Sequence, residues 1–313
     1  MSFAFDLAPI GLPAGAWAAT HRRLLRHDGK PLLGLTQGAM RACVYPVFTP
    51  AGFPVTSEAP ADHPHHQSLW VAADHVHAHV PAAEGREEAY TYNFYVNDTF
   101  QGRAPGRIIE QETHGRLLGG AVFEIAQRLQ WRGPPEWAAP LGRVILEESR
   151  RLRVHVEGAC VAIHLRTSLA PGEWDVSIGP TRHALLNARV SEAISLDPRR
   201  QLVDDTGRPW PGPPSTAPSR ARWLHFTGAV GGGHTAGLAL VPLPRGEDGW
   251  WFATDWGVMT WSPVRDRAVR IARGETATYQ ACCIAHDGPL SADEIDSLIR
   301  LTLAVTAPAA DPP

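Results

Sequence analysis

The stretch ADHPHHQSLWVAADHVHAHV, residues 61–80, sets His63, His65, His66, His75, His77 and His79 side by side. Imidazole titrates nearest neutrality of all side chains and is the commonest metal ligand, so the cluster points to proton transfer, metal binding, or both. A histidine-rich surface loop is the bland alternative. Within DHPHH, Pro64 fixes its own φ and biases His63 towards an extended backbone. If the segment stayed extended, His63 and His65 would share a face and His66 would oppose them, although a bend at the proline is open. Asp62 can accept an imidazole N–H and so fix a tautomer.

In HVHAH, His75, His77 and His79 fall on one face of any strand, with Val76, Ala78 and Val80 on the other. Two imidazoles at i and i+2, His75 and His77, are the candidate ligands for one divalent metal, against a solvated polar face as the alternative. Further along, Trp250, Trp251, Trp256 and Trp261 crowd GWWFATDWGVMTWSP, interrupted by Asp255. Tryptophans are most often core. The functional alternative is a ring platform for a sugar, with Asp255 supplying a hydrogen bond.

These residues must be held by something, and the chain offers strands. RLRVHVEGACVAIHLRTSL alternates apolar Leu152, Val154 and Val156 with Arg153 and His155, the period of a strand buried on one face. Similar segments recur with Gly/Pro punctuation, which predicts an all-β antiparallel sandwich as one domain over residues 1–305, with a disordered tail at 306–313. One helix is signalled, Ser291–Leu303: Ser291 and Glu294 form a capping box, with Ile295, Leu298, Ile299 and Thr302 at helical spacing. It is expected to close the edge or end of the sandwich. GAVGGGHTAG leads into the strand-like LALVPLP and not into a helix, so it is read as a hairpin turn and no nucleotide cofactor is expected. RPWPGPPSTAPSR is read as a long surface loop.

Composition narrows the functions. With 29 Lys+Arg against 32 Asp+Glu the net charge is −3 and no basic stripe stands out, so nucleic acid is not an expected partner. Lys30, in HDGKP, is the only lysine, which removes Schiff-base and P-loop chemistry from serious consideration. Cys43, Cys160, Cys282 and Cys283 show no metal-ligand spacing, and the adjacent pair should face opposite ways on a strand. No apolar run reaches the roughly 18 residues of a membrane span and no signal peptide is read, so a cytoplasmic location away from the membrane is expected. Homo-oligomer formation is left open.

The order YPVFTPAGFPVT, DHPHHQSLW, PTRHALLNARVSEAI, LHFTGAVGGGHTAGLALVPLP, WFATDWGVMTWSPV and GETATYQACCIAHDG resembles the bacterial PmoA-like proteins, known as methane-oxygenase-like. The absence of an apolar span sets aside a membrane oxygenase. The resemblance implies a mutarotase-like β-supersandwich and carbohydrate metabolism, and it directs attention to Asp62, His63, His65, His66, Arg189, Trp256 and Gly257, with Trp70 of the LW step. Two departures stand out. Ala73 occupies a place where many relatives have histidine, and Arg182 and His183 stand where many have a Lys-Glu pair, which implies a different substrate.

The resulting expectation is an enzyme acting on a sugar or keto-sugar by histidine-assisted proton abstraction: a lyase, epimerase or hydratase. His63 and His66 are the candidate catalytic imidazoles, with Arg189 or a metal to stabilise an enolate. Asp62, His65, Trp70, Arg182, His183, Asp255 and Trp256 are the candidate substrate contacts. A non-catalytic sugar-binding module and a metal-dependent oxygenase with histidine ligands are the rival readings.

Overall fold

The computed structural model describes residues 2–11, 19–119, 121–210, 221–243 and 249–306. The alternation seen in the sequence becomes pairing: Val144–Glu157 runs antiparallel to Cys160–Pro171, with Leu152 opposite Leu165, Arg153 opposite His164 and Val154 opposite Ile163. Leu152, Val154 and Ile163 are fully buried while Arg153 between them stays partly exposed, so one face of each strand is core and the other is not. Tight turns set the register. Asp28 and Gly29, both with positive φ, join Ala19–His27 to Lys30–Gly38, a two-residue hairpin whose backbone suits glycine.

Among the described residues the strands form three sheets. The first carries, in spatial order, Phe3–Phe5, Ala19–His27, Lys30–Gly38, Ala42–Val47, Leu69–Ala73, Ala184–Arg189, Val258–Ser262 and Trp250–Ala253, with Ile10–Gly11 beside Ala19–His27. The second runs Arg107–Leu118, Val122–Arg132, Val144–Glu157, Cys160–Pro171, Ala277–Asp287, His234–Leu243, Leu224–Gly231 and Gln201–Asp204. Val269–Ile271, Asp175–Ile178, Val76–Pro81, Glu87–Asn93 and Ala104–Pro105 make a third, smaller sheet that the sandwich expectation did not contain. Pairing between these strands is antiparallel except between Glu87–Asn93 and Ala104–Pro105, and an isolated parallel bridge joins Arg41 to Ile108. Val71, Leu186, Met259 and Trp251 of the first sheet share one apolar cluster with Leu129, Leu152, Ile163, Leu240 and Cys283 of the second, which is the sandwich core.

The helix Ala292–Thr306 begins where its signal lies. Ser291 Oγ and N both donate to Glu294 Oε2, at 2.6 and 2.8 Å, and Glu294 N donates back to Ser291 Oγ at 3.3 Å. Its position corrects the expectation of an edge: Ile295, Leu298 and Ile299 pack on Cys160, Val241, Cys282 and Ile284, so the helix covers the outer face of the second sheet. The reason lies in Ala277–Asp287, which is apolar on both faces, with Cys283 in the sandwich core and Cys282 under the helix. A strand apolar on both sides needs a second cover. Gly231–Gly233 make the hairpin turn between Leu224–Gly231 and His234–Leu243. The tail at 307–313, and 211–220 of the proline-rich loop, lie outside the described residues.

Candidate functional site

The outer face of the first sheet gathers most of the candidate residues. Register places Trp70 opposite Asn187, Asn187 opposite Thr260, and Thr260 opposite Phe252, a row across four strands pointing away from the sandwich core. Loops from several parts of the chain stand around this row; their His63, His65, His183 and Trp256 are partly exposed and Arg182 is exposed, and we call the surface they rim the bowl.

The first is DHPHH. His66 N donates to His63 O at 2.9 Å, so His63 to His66 form a β-turn with Pro64 at its second position, where a fixed φ is favourable. The extended arrangement is thereby corrected. Instead of facing opposite ways, the His63 and His66 rings stack at 4.8 Å and 8°, and His65 stands edge-on to both. The second is the DWG turn between the last two strands of the sheet. Its Trp256 ring lies flat on His63, 4.4 Å between centroids and 3° between planes. Gly257, at φ +111, allows this turn: a Cβ there would meet Ser195 Cβ and Val190 Cγ2 at 2.9 Å.

Asp62 ties the pieces together. Arg189, 3% exposed, donates Nη2 to both Asp62 oxygens at 2.9 and 3.0 Å, and its guanidinium lies 4.8 Å from the Trp256 ring centre. His63 Nδ1 sits 2.9 Å from Asp62 Oδ2. Partial burial works against ionisation of Asp62, but hydrogen bonds from His63 and Arg189 outweigh it and hold the carboxyl below its ordinary value. An ionised carboxylate only accepts, so the proton of neutral His63 is on Nδ1 and its Nε2 offers a lone pair. Among the described residues nothing pairs with that Nε2.

His65 and His66 differ from His63. Burial first, then Arg41, pushes His65 down to about 4. His66 is 3% exposed, has no partner for Nδ1, and is driven far below its usual range by burial and by the neighbouring His65, His63 and arginines. Both are neutral imidazoles at physiological pH. Trp70 lies beneath His66 at 5.3 Å and is 1% exposed, so it supports the turn from below rather than lining the open surface.

At the other side of the bowl stands Asp74, 1% exposed. Its Oδ1 accepts from Thr181 Oγ1 at 2.6 Å and from His75 Nδ1 at 2.8 Å, and its Oδ2 from His183 Nδ1 at 3.0 Å, with Arg103 Nη2 at 3.5 Å. Burial opposes ionisation here too, yet the bonds from His183, His75 and Thr181 prevail and hold Asp74 at about 2. Arg182 donates Nε to His183 Nε2 at 3.2 Å and lies over the Phe252 ring at 4.8 Å. Tyr95 links the two sides, 5.7 Å from His65 and 5.2 Å from His183; burial raises its phenol to about 12.

The structure thus brings together Asp62, His63, His65, His66, Trp70, Arg189, Trp256, Arg182 and His183. Asp255 is turned away, 58% exposed and paired with Arg200 at 2.9 Å. His75 and His77 are 6.3 Å apart, and each Nδ1 is already engaged, with Asp74 and with Thr91. Among the described residues no three of His, Cys, Asp and Glu are placed to hold a metal ion. No helix of the described residues is long and apolar enough to cross a membrane.

Arg41, Asp74, Tyr95 and Phe252 escaped the sequence reading. Asp74 had a usable signal, a carboxylate directly before a histidine, the same one that marked Asp62. Arg41, Tyr95 and Phe252 come from distant segments and carry none. A cavity of about 530 Å³ lies elsewhere, beside the buried His225 on the second sheet and the start of the C-terminal helix. The bowl, and not that cavity, holds the two carboxylate–imidazole pairs, Asp62–His63 and Asp74–His183.

Residues 23–300 match the model of a family of unknown function (DUF6807), and the chain belongs to that family. This overturns the PmoA-like resemblance. Of the segments that carried it, the most specific, DHPHH with LW, is a proline turn followed by a buried strand start, a pattern that turn geometry and packing favour on their own. No curated protein matches the chain. Among solved structures, the chain is similar to a protein provisionally named aldose 1-epimerase from Escherichia coli K12, with TM-score 0.35 and 9% identity over 92% of this chain and 100% of that one. It is also similar to the GH36 α-galactosidase AgaB from Geobacillus stearothermophilus, with TM-score 0.39 and 9% identity over 90% of this chain but 41% of that one. A protein provisionally named mutarotase, from Salmonella typhimurium, gives 0.29 and 9% over 90% and 97%. At these scores none of the likenesses carries an argument about activity.

Proposed function

We propose, for this member of a family of unknown function, that the bowl is the active site of an isomerase-type enzyme that moves a proton on a sugar-like molecule. The observation that carries the reading is the chain Arg189–Asp62–His63. A buried arginine orients a carboxylate, the carboxylate fixes the imidazole tautomer, and the free Nε2 opens into a bowl lined by aromatic rings.

In this reading His63 Nε2 takes a proton from the carbon next to a carbonyl. The electron pair left behind moves onto the carbonyl oxygen as an enolate, and the imidazolium then returns the proton to the same carbon or, once the proton of the adjacent hydroxyl has passed to the enolate oxygen, to the former carbonyl carbon. One free base suffices for such a shuttle. Asp62 stabilises the transient imidazolium, and the positive field of Arg189 and Arg41 favours the enolate oxygen. Arg189 is buried against Asp62, so it is a positioning residue here and not the direct enolate contact that the sequence suggested. Phe252 and Trp256, both partly exposed beside Arg182 and His63, add apolar surface that suits the apolar face of a sugar ring. Carbohydrate as substrate class rests on this lining.

Solvent exchange tests the reading before the net reaction is known. The protein is incubated in D2O with a panel of aldoses, ketoses and keto-sugars, and proton NMR follows each C–H beside the carbonyl. One such position should exchange with the native protein and not with His63→Ala. Absence of exchange across the panel, or equal exchange by the variant, would sink the proposal.

A further inference from the structure

We propose that the molecule bound in the bowl is an acidic sugar, one whose carboxylate or phosphate is met by Arg182 while the buried Arg41 supplies an uncompensated positive field. The inference rests on the sugar reading above and goes further by fixing the charge of the substrate.

The charges around the bowl do not balance. Four arginines stand there, Arg41, Arg103, Arg182 and Arg189, against the carboxylates of Asp62 and Asp74. Asp62 is taken by Arg189, and Asp74 has Arg103 at 3.5 Å besides its histidines. His65 and His66 are neutral. Among the described residues neither Arg41 nor Arg182 has a carboxylate within ion-pair distance, so the bowl keeps an excess of positive charge.

Arg41 is the more informative of the two. It is 1% exposed and directs Nη1 to His65 O at 2.5 Å and Nη2 to Asn97 Oδ1 at 2.7 Å, both neutral acceptors, while Nε has no partner. A guanidinium buried without a counter-ion is expensive, and proteins place such a charge where its field is used. The field reaches the bowl: Arg41 lowers the proton affinity of His65 and His66 and is itself felt by Tyr95. Its own neighbours of opposite tendency, Tyr95 and Cys43, are both pushed up by burial and stay uncharged.

Arg182 provides the hand where Arg41 provides the field. It is exposed, lies over the Phe252 ring and is held by His183 through Nε, which leaves both Nη groups without a protein partner among the described residues. Two parallel N–H donors on a fixed plane match the two oxygens of a carboxylate or of a phosphate. Neutral sugars offer no such group. The anion would sit over Phe252, across the bowl from the free nitrogen of His63.

The test is binding, so it does not depend on knowing the reaction. Neutral hexoses and pentoses, the corresponding uronates, and sugar monophosphates are titrated calorimetrically into the native protein at constant ionic strength. One acidic series should bind at least about ten-fold tighter than its neutral parent, the worth of a charge-assisted pair. The uronate and phosphate arms tell which anion it is. Arg182→Gln should remove most of that preference, read as the ratio of acidic to neutral affinity measured on the same variant. Arg41→Met should also shrink it, with a melting temperature unchanged or raised because a buried charge is gone. If Arg41→Met fails to fold, Arg182→Gln alone decides. Neutral sugars bound as tightly as their acidic counterparts would overturn this inference and leave the sugar reading standing. If no sugar of any class bound, both would fall.

Discussion

Asp62 is 42% exposed and Asp74 is 1% exposed, yet each orients the Nδ1 of a histidine at the same bowl, His63 and His183. The first carboxylate has one buried arginine behind it and its histidine keeps a free ring nitrogen. The second gathers a threonine, two histidines and an arginine, and Arg182 caps the far nitrogen of His183. The same pair of residue types therefore does two jobs. Where the imidazole has a free lone pair it can exchange a proton with a ligand. Where both nitrogens are spoken for, the pair is a strut that fixes Arg182 and ties the third sheet to the first.

Breaking the strut should give the largest effect. Asp74→Ala leaves buried donors on Thr181, His75 and His183 without an acceptor, and should cost about 3–5 kcal/mol in chemical denaturation. A loss below about 1 kcal/mol would mean that water replaces the carboxylate and that the buried pair is no strut. Breaking the open pair should leave stability nearly intact and remove function: His63→Ala should cost on the order of 10² or more in the rate of C–H exchange, with unchanged melting. The same loss in His183→Ala with a folded protein would erase the distinction, since both pairs would then be reactive.

Acid should separate the two as well. His65 and His66 have folded-state values below that of a free imidazole, so their contribution to stability is complete above about pH 6.5. It is lost as pH falls from there through about 4, the value of His65. Asp74, held at about 2, contributes above the ordinary carboxylate value and is lost only as pH drops from below 4 through 2. Melting temperature plotted against pH should fall in two stages, and His65→Gln should shrink the first and spare the second, the rest of the first coming from His66 and from His225 and His286 on the second sheet, which burial lowers to about 3 and about 4. A single stage would show that the turn and the strut melt as one. The smallest effect belongs to His79, bonded to Glu87 and Ser177 on the third sheet: His79→Ala should leave exchange activity unchanged, and a measurable drop would extend the site onto that sheet.

Much of this architecture could be read from local pattern. The strand alternation, the Ser291–Glu294 cap, the glycine hairpin and the opposite facing of Cys282 and Cys283 each depend on residues only a few positions apart. DHPHH was recognised as a centre for the same reason, although its turn was not, because the choice between bend and extension at Pro64 is made by Trp256 and Arg189 packing from far along the chain. Arg41, Tyr95 and Phe252 were invisible on similar grounds: their place in the bowl follows from sheet order, which brings Leu69–Ala73 beside Ala184–Arg189 and Val258–Ser262. Periodicity reports which face is apolar. It does not say which strands become neighbours, and an outer face bearing Trp70, Asn187 and Thr260 reads like any buried strand.

The lone lysine at the tip of the Ala19–His27 and Lys30–Gly38 hairpin gives the molecule an address. Lys30 is exposed, and no other side chain in the protein carries a primary amine. Amine-directed coupling would therefore reach one side chain, on the far wing of the first sheet from Trp250–Ala253 and the bowl. With the chain's α-amino group blocked, a sensor surface or a fluorophore attached there would present every copy in nearly the same orientation with its arginines and histidines uncovered.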